Sequence, residues 1–118
     1  MPKYVDGFVV PVPKKNLAPY RKMAQKVGKL WKECGALEYH ECVADDVKPG
    51  KVTSFPQAVK LKDDETVILG WIVYKSRKDR DRVNALVMKD PIMQAPHTVM
   101  LFDRMRIFAG GFKGMIDL

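Results

Sequence analysis

Two side chains of opposite charge, Asp6 near the start of the chain and Arg106 near its end, are the residues whose type and setting best suit chemistry. Each lies in a run rich in β-branched and aromatic residues, so each is expected on a strand whose side chains alternate between two faces. On the first run Val5, Gly7 and Val9 share one face, while Tyr4, Asp6, Phe8 and Val10 share the other. The small Gly7 suits close packing by a helix, which assigns Asp6 and Phe8 to the face away from helices. On the last run, Arg104 to Phe112, the residues Met105, Ile107 and Ala109 read as helix-facing, leaving Arg104, Arg106 and Phe108 on the side of Asp6. A carboxylate and a guanidinium meeting across neighbouring strands in a semi-enclosed space could bind or polarise a polar substrate group, and a desolvated Asp becomes a usable base. The alternative is an internal salt bridge that holds the strand register.

His40 is the second candidate. Glu38, His40 and Cys42 fall on one side of a short strand run, and Leu37, Tyr39, Glu41 and Val43 on the other. An imidazole titrates near neutral pH and can serve as general acid or base; a solvent-facing or simply hydrogen-bonded histidine gives the same signal. Trp71 could floor a pocket for a planar ligand or be plain core. The candidate set is therefore Asp6 and His40 as catalytic groups, with Arg106, Phe8, Trp71 and Phe108 as binding groups. Cys34 and Cys42 match neither a zinc site nor a Cys-x-x-Cys pair and are expected as reduced thiols. Gly50-Lys51-Val52-Thr53 looks like the end of a phosphate loop, but position 45 is Asp where that motif needs its first glycine. No metal or cofactor motif is present, and no cofactor is expected.

The elements that must position these residues follow from hydrophobic periodicity. Lys3 to Val12 reads as a strand closed by Pro11 and Pro13. Leu17, Tyr20, Met23, Ala24, Val27, Leu30, Trp31 and Cys34 then recur at three- and four-residue steps, with Lys15, Lys22, Lys26, Lys29 and Lys32 on the opposite side. That is an amphipathic helix, with Asn16 as N-cap, Pro19 in the first turn and Gly35 as its stop. Leu37 to Val43 is a second strand. A long connection follows, with a helical turn expected around Ser54 to Gln57, and Thr66 to Lys75 forms the strongest strand, its nearly continuous apolar run implying burial on both faces. Ser76 and Asp79 open a second helix whose Val83, Leu86 and Val87 face inward and which ends near Pro91. Ile92 to Val99 could add a short helix before the last strand.

This order is β-α-β-β-α-β, the ferredoxin-like arrangement of two helices on one face of an antiparallel sheet, in one α+β domain spanning residues 1–118. At 118 residues, 47% hydrophobic and 30% charged, the chain is an ordinary globular one. No apolar run is long enough to span a membrane and no secretory leader is visible, so a cytoplasmic location is expected. The second sheet face carries too many apolar residues to meet water, and the same face of a second copy is the most economical cover, giving a homodimer. The formal net charge of +7 raises nucleic acid as a partner. A lysine stripe on the outer side of an amphipathic helix is also the default solubility solution, and no aromatic residue interleaves it to stack bases, so nucleic acid is disfavoured.

Tyr4-Val5-Asp6-Gly7-Phe8-Val9-Val10-Pro11-Val12, Gly35-Ala36-Leu37-Glu38-Tyr39, Ser54-Phe55-Pro56, Asp81 to Pro91, Phe102-Asp103-Arg104-Met105 and Gly110-Gly111-Phe112 together resemble the YbaA-like family of uncharacterised bacterial proteins, of the dimeric α/β-barrel superfamily. The resemblance covers almost the full length. It implies a ferredoxin-like fold that dimerises into an α/β barrel. It brings no catalytic residue with it, because the family has no established activity to transfer. The wider superfamily includes cofactor-independent monooxygenases, haem-degrading enzymes and isomerases, and a shared fold is a weak warrant for any one of them. His40 and His97 form no haem-ligand pattern.

The sequence thus favours a small molecule bound or converted in the dimer-barrel interior, by a cofactor-independent enzyme of oxygenase or isomerase type or by a binding protein. The alternative is a non-enzymatic basic module that binds RNA or a protein partner. A pocket lined by Asp6, Arg106 and aromatic side chains separates the first from the second.

Overall fold

The computed structural model describes residues 2–94 and 101–118. Four strands and two long helices appear in the expected order. Strand β1 (Tyr4–Pro13) leads through a 3-10 turn into helix α1 (Leu17–Cys34), followed by strand β2 (Glu38–Val43), the single helical turn α2 (Phe55–Ala58), strand β3 (Glu65–Tyr74), helix α3 (Arg77–Lys89) and strand β4 (Phe108–Lys113). The sheet order is β2-β3-β1-β4, and every neighbouring pair is antiparallel. Among the described residues no helix is long and apolar enough to cross a membrane.

Local chemistry sets the boundaries. Ser54 and Ser76 each accept a hydrogen bond from the backbone N–H three residues on, capping α2 and α3. Gly35 ends α1 at φ 125°, a conformation that a residue with a Cβ adopts only under strain. Asn16 occupies the N-cap position of α1 without capping it; its side-chain amide donates instead to the Leu101 carbonyl at 3.0 Å.

The sheet has an inner face under the helices and an open face. Two core clusters fill the inner side: Val27, Trp31, Ile72, Tyr74, Val83 and Val87 in one, and Val10, Val12, Tyr20, Ala24 and Ile68 in the other. A third cluster, Val9, Val59 and Val67, lies on the open face, where the connection between β2 and β3 folds over one end of the sheet. Leu86, expected inward, is 44% exposed. The expected β3 burial holds on the inner face, whereas Leu69 on the open face is 40% exposed.

The parity of β1 is the reverse of the sequence expectation. Asp6 and Phe8 point at the helices, and Gly7 is on the open face. The Phe112 ring lies over Gly7 and Gly110 there, and a Cβ on either would stand 3.9 or 3.7 Å from it, in ordinary van der Waals contact, so Gly7 carries no sign of a helix packed against it. The last strand also starts later than expected. Residues Arg104–Arg106 form a 3-10 turn, with the Asp103 carboxylate accepting from Met105 N, so Arg106 is not on the strand. The 3-10 turn Pro91–Gln94 is the described part of the expected Ile92 to Val99 helix; the rest, with His97, lies outside the described residues.

Candidate functional site

A cleft of about 450 Å³ opens between the inner sheet face and the helices. The antiparallel register puts its polar groups in rows across the sheet. Tyr39, Ile72 and Asp6 are level with one another, and Glu41, Gly70 and Phe8 form the next row. Row spacing alone would leave Phe8 beside its neighbours. It instead lies across β3, because Gly70 has no Cβ and a Cβ there would overlap the Phe8 ring. Tyr39 in the same way lies flat against Gly28 of α1, where a Cβ would come within 2.7 Å of the ring.

One end of the cleft is a network around Asp6. Its Oδ1 accepts from Arg80 Nη1 at 3.1 Å, and its Oδ2 accepts from the Tyr74 hydroxyl at 3.0 Å and more distantly from Asn84 Nδ2 at 3.4 Å. Trp31 Nε1 donates to the Tyr74 oxygen at 3.0 Å and faces Asn84 Oδ1 at 3.1 Å. Arg80 also donates to the Tyr4 hydroxyl at 3.2 Å and stacks over its ring. The network ties β1, β3, α1 and α3 together, and each buried polar group is offset by a partner, as burial requires. Arg80 Nε is the exception: it lies 3.0 Å from Asp81 Oδ1 but is not directed at it as a hydrogen bond. Burial, then the Asp6 carboxylate, push the Tyr74 hydroxyl well above the ordinary tyrosine range.

The other end is built on Glu41, whose two carboxylate oxygens accept from the hydroxyls of Tyr20 and Tyr39. Burial first, and the Glu41 charge second, raise both tyrosines far above their usual value, so the protons stay on the phenols. Phe8, Trp31 and Phe102 complete the aromatic walls. Tyr20, Ala24, Tyr39 and Glu41 also line a second, wider groove of about 1040 Å³ between α1 and the free edge of β2, so they form the partition between the two spaces.

The structure does not bring Asp6 and Arg106 together. Arg106 forms a two-pronged ion pair with Glu65, at 2.7 and 2.5 Å, and also donates to the carbonyls of Val59 and Lys60 and to Asp103. Its role is to fasten the β2–β3 connection to the start of β3. His40, Trp71 and Phe108 are on the open face, away from Asp6. His40 stacks on Trp71 with centroids 4.9 Å apart, and its Nε2 lies 3.0 Å from Glu38 Oε1. Cys34 and Cys42 are free thiols. Among the described residues no group of three His, Cys, Asp or Glu side chains is placed to hold a metal ion.

Sequence reasoning missed Glu41, Tyr20, Tyr39, Arg80 and Asn84. Arg80, Asn84 and Val87 recur at helical spacing, a polar extension of the inward stripe that the apolar residues alone do not reveal.

The model of a family described as "Protein of unknown function (DUF1428)" matches residues 3–104. The chain belongs to this family. It is 49% identical over 115 residues to the uncharacterised protein YbaA of Escherichia coli strain K12, covering 98% of each chain, and equally similar to YbaA of Shigella flexneri. In three dimensions this DUF1428 chain is similar to two dimeric ferredoxin-like proteins from an uncultured marine organism. One aligns over 100% of both chains with a TM-score of 0.68 at 12% identity. The other covers 100% of this chain and 92% of its own with a TM-score of 0.63 at 8% identity. At those identities the likeness establishes the ferredoxin-like fold. Asp6, Phe8 and the Gly35 to Tyr39 segment lie within the family match, as do Glu41, Arg80 and Asn84.

Proposed function

We propose that this protein binds and converts a small, largely planar molecule in the cleft between its sheet and helices, as a homodimer joined through the open sheet faces. The observation that carries the reading is the cleft itself, in which the carboxylates of Asp6 and Glu41 stand in an aromatic-walled space. Ligand sites are typically concave and mostly apolar, with a few convergent polar groups. Cofactor-independent oxygenase or isomerase chemistry, as the superfamily resemblance implies, needs an acid–base group beside a sequestered substrate. Asp6 and Glu41 are the candidates, with Phe8 as a binding wall.

His40, Trp71 and Phe108 belong on this reading to the dimer interface. Leu69, Phe108 and Phe112 are 40%, 46% and 64% exposed on one sheet face, an apolar surface that a second copy would cover. The dimeric state of the two marine proteins supports it. Light scattering at micromolar concentration is expected to return twice the chain mass, and Phe112→Asp to return one.

The two tryptophans report separately, Trp31 from the cleft and Trp71 from the open face. A screen of planar hydroxy- and carbonyl-bearing aromatics, followed by the two indole N–H signals in nitrogen-15 NMR, is expected to move Trp31. Met23→Trp, which fills the cleft, should abolish the binding. Ligands that shift Trp71 alone would overturn the location. A basic module binding RNA would leave both indoles unmoved and show steeply salt-dependent binding of a polyanion.

A further inference from the structure

We infer that the cleft selects an organic cation, an ammonium group on an apolar or aromatic body, with Glu41 as its counter-charge; this rests on the cleft being the ligand site. The charges around the cleft are unequally matched. Asp6 has its cation in Arg80 at 3.1 Å. Among the described residues Glu41 has none: both its oxygens are met by neutral phenols, and no Lys, Arg or His nitrogen lies within the 4.0 Å of an ion pair. A partly buried carboxylate without a counter-ion is costly, and hydroxyl donors offset only part of that cost.

The surroundings fit the missing charge. Tyr20, Tyr39, Trp31, Phe8 and Phe102 wall the cleft, and the negative face of an aromatic ring attracts a cation. The two phenols spend their protons on Glu41, so their oxygen lone pairs are left to present partial negative charge to a bound cation. Both phenols are held protonated, so neither competes as a second anion. Arg104 reaches only the rim and is exposed there, while Arg80 is already neutralised by Asp6. An anionic ligand would therefore meet Glu41 without compensation, and a neutral one would leave the Glu41 charge unmatched.

The probes are benzyltrimethylammonium, choline, the neutral choline isostere 3,3-dimethylbutan-1-ol, benzyl alcohol and benzoate, titrated into the full chain while the Trp31 indole N–H is followed. Each cation is expected to bind at least about tenfold more tightly than its neutral counterpart, the size of one desolvated cation–aromatic contact, with benzoate weakest. Glu41→Gln should reduce the ratio of choline to its isostere towards one. Equal affinities in the wild-type protein, or a preference for benzoate, would overturn the inference and leave the cleft standing as a small-molecule site. If no probe of any charge moves Trp31, and the wider aromatic screen also fails, the cleft reading falls with it. The wild-type charge series decides the matter even if Glu41→Gln folds poorly.

Discussion

Replacing Glu65 by Gln should destabilise the fold measurably. The Glu65 side chain is 3% exposed and that of its partner Arg106 is 14% exposed. Glu65 accepts both guanidinium prongs and the Lys62 backbone N–H at 2.8 Å, so a Gln keeps one oxygen acceptor and turns an NH2 group towards the other prong. Breaking a buried pair costs about 3–5 kcal/mol when the surviving charge is left alone. Arg106 is not left alone, because Asp103 and the carbonyls of Val59 and Lys60 still accept from it. A loss of about 2–3 kcal/mol is therefore expected. For a chain of this size that lowers Tm by roughly 10 °C. The pH dependence has a definite sign. Hydrogen bonding to Arg106 holds the Glu65 carboxyl below its ordinary 4.5, so its contribution is complete above that value and disappears as pH falls through the lower folded value. The stability gap between wild type and Glu65→Gln, measured by urea denaturation from pH 7 to pH 3, should be constant down to about 4.5 and then shrink. The double change Glu65→Leu with Arg106→Met should recover much of the loss. A Tm within about 2 °C of wild type, or a gap that widens in acid, would refute the assignment.

Gly70→Ala puts a methyl group into the Phe8 ring, and overpacking of this kind costs about 1–3 kcal/mol; Phe8→Leu in the same chain should remove most of that penalty, which a double-mutant cycle in denaturant would measure. The raised values of Tyr20, Tyr39 and Tyr74 predict that these three stay protonated as pH passes 10 and ionise only when the protein unfolds, which absorbance near 295 nm will follow; their reversible ionisation in the folded protein would contradict it. Cys34 and Cys42 are free, so Ser at both positions should preserve the fold and change Tm by only a few degrees, as thermal denaturation would show.

The element order was legible in the sequence because each element carries its own local signal. The three- and four-residue recurrence from Leu17 to Cys34 needs only the helical repeat, and Ser54 and Ser76 cap their helices with hydroxyls that reach three residues along the same chain. Alternation also sorted Glu38, His40 and Cys42 from Tyr39 and Glu41 correctly, since a strand has only two faces. Which face meets the helices is not a local property. Gly7 suited a helix in the sequence, yet it lies on the open face, where its neighbour is Phe112, which is remote in sequence and comes over it only when β4 pairs with β1. The partners of Asp6 and Arg106 were hidden for the same reason. Arg80 lies 74 positions from Asp6, and Arg106 lies 41 from Glu65, so only the sheet order and the packing of α3 decide who meets whom. The Glu41 cluster shows the division most clearly: alternation along β2 already places Tyr39 beside Glu41 on one strand face, while the second phenol, Tyr20, comes from α1 and meets Glu41 only when the helix layer closes over the sheet.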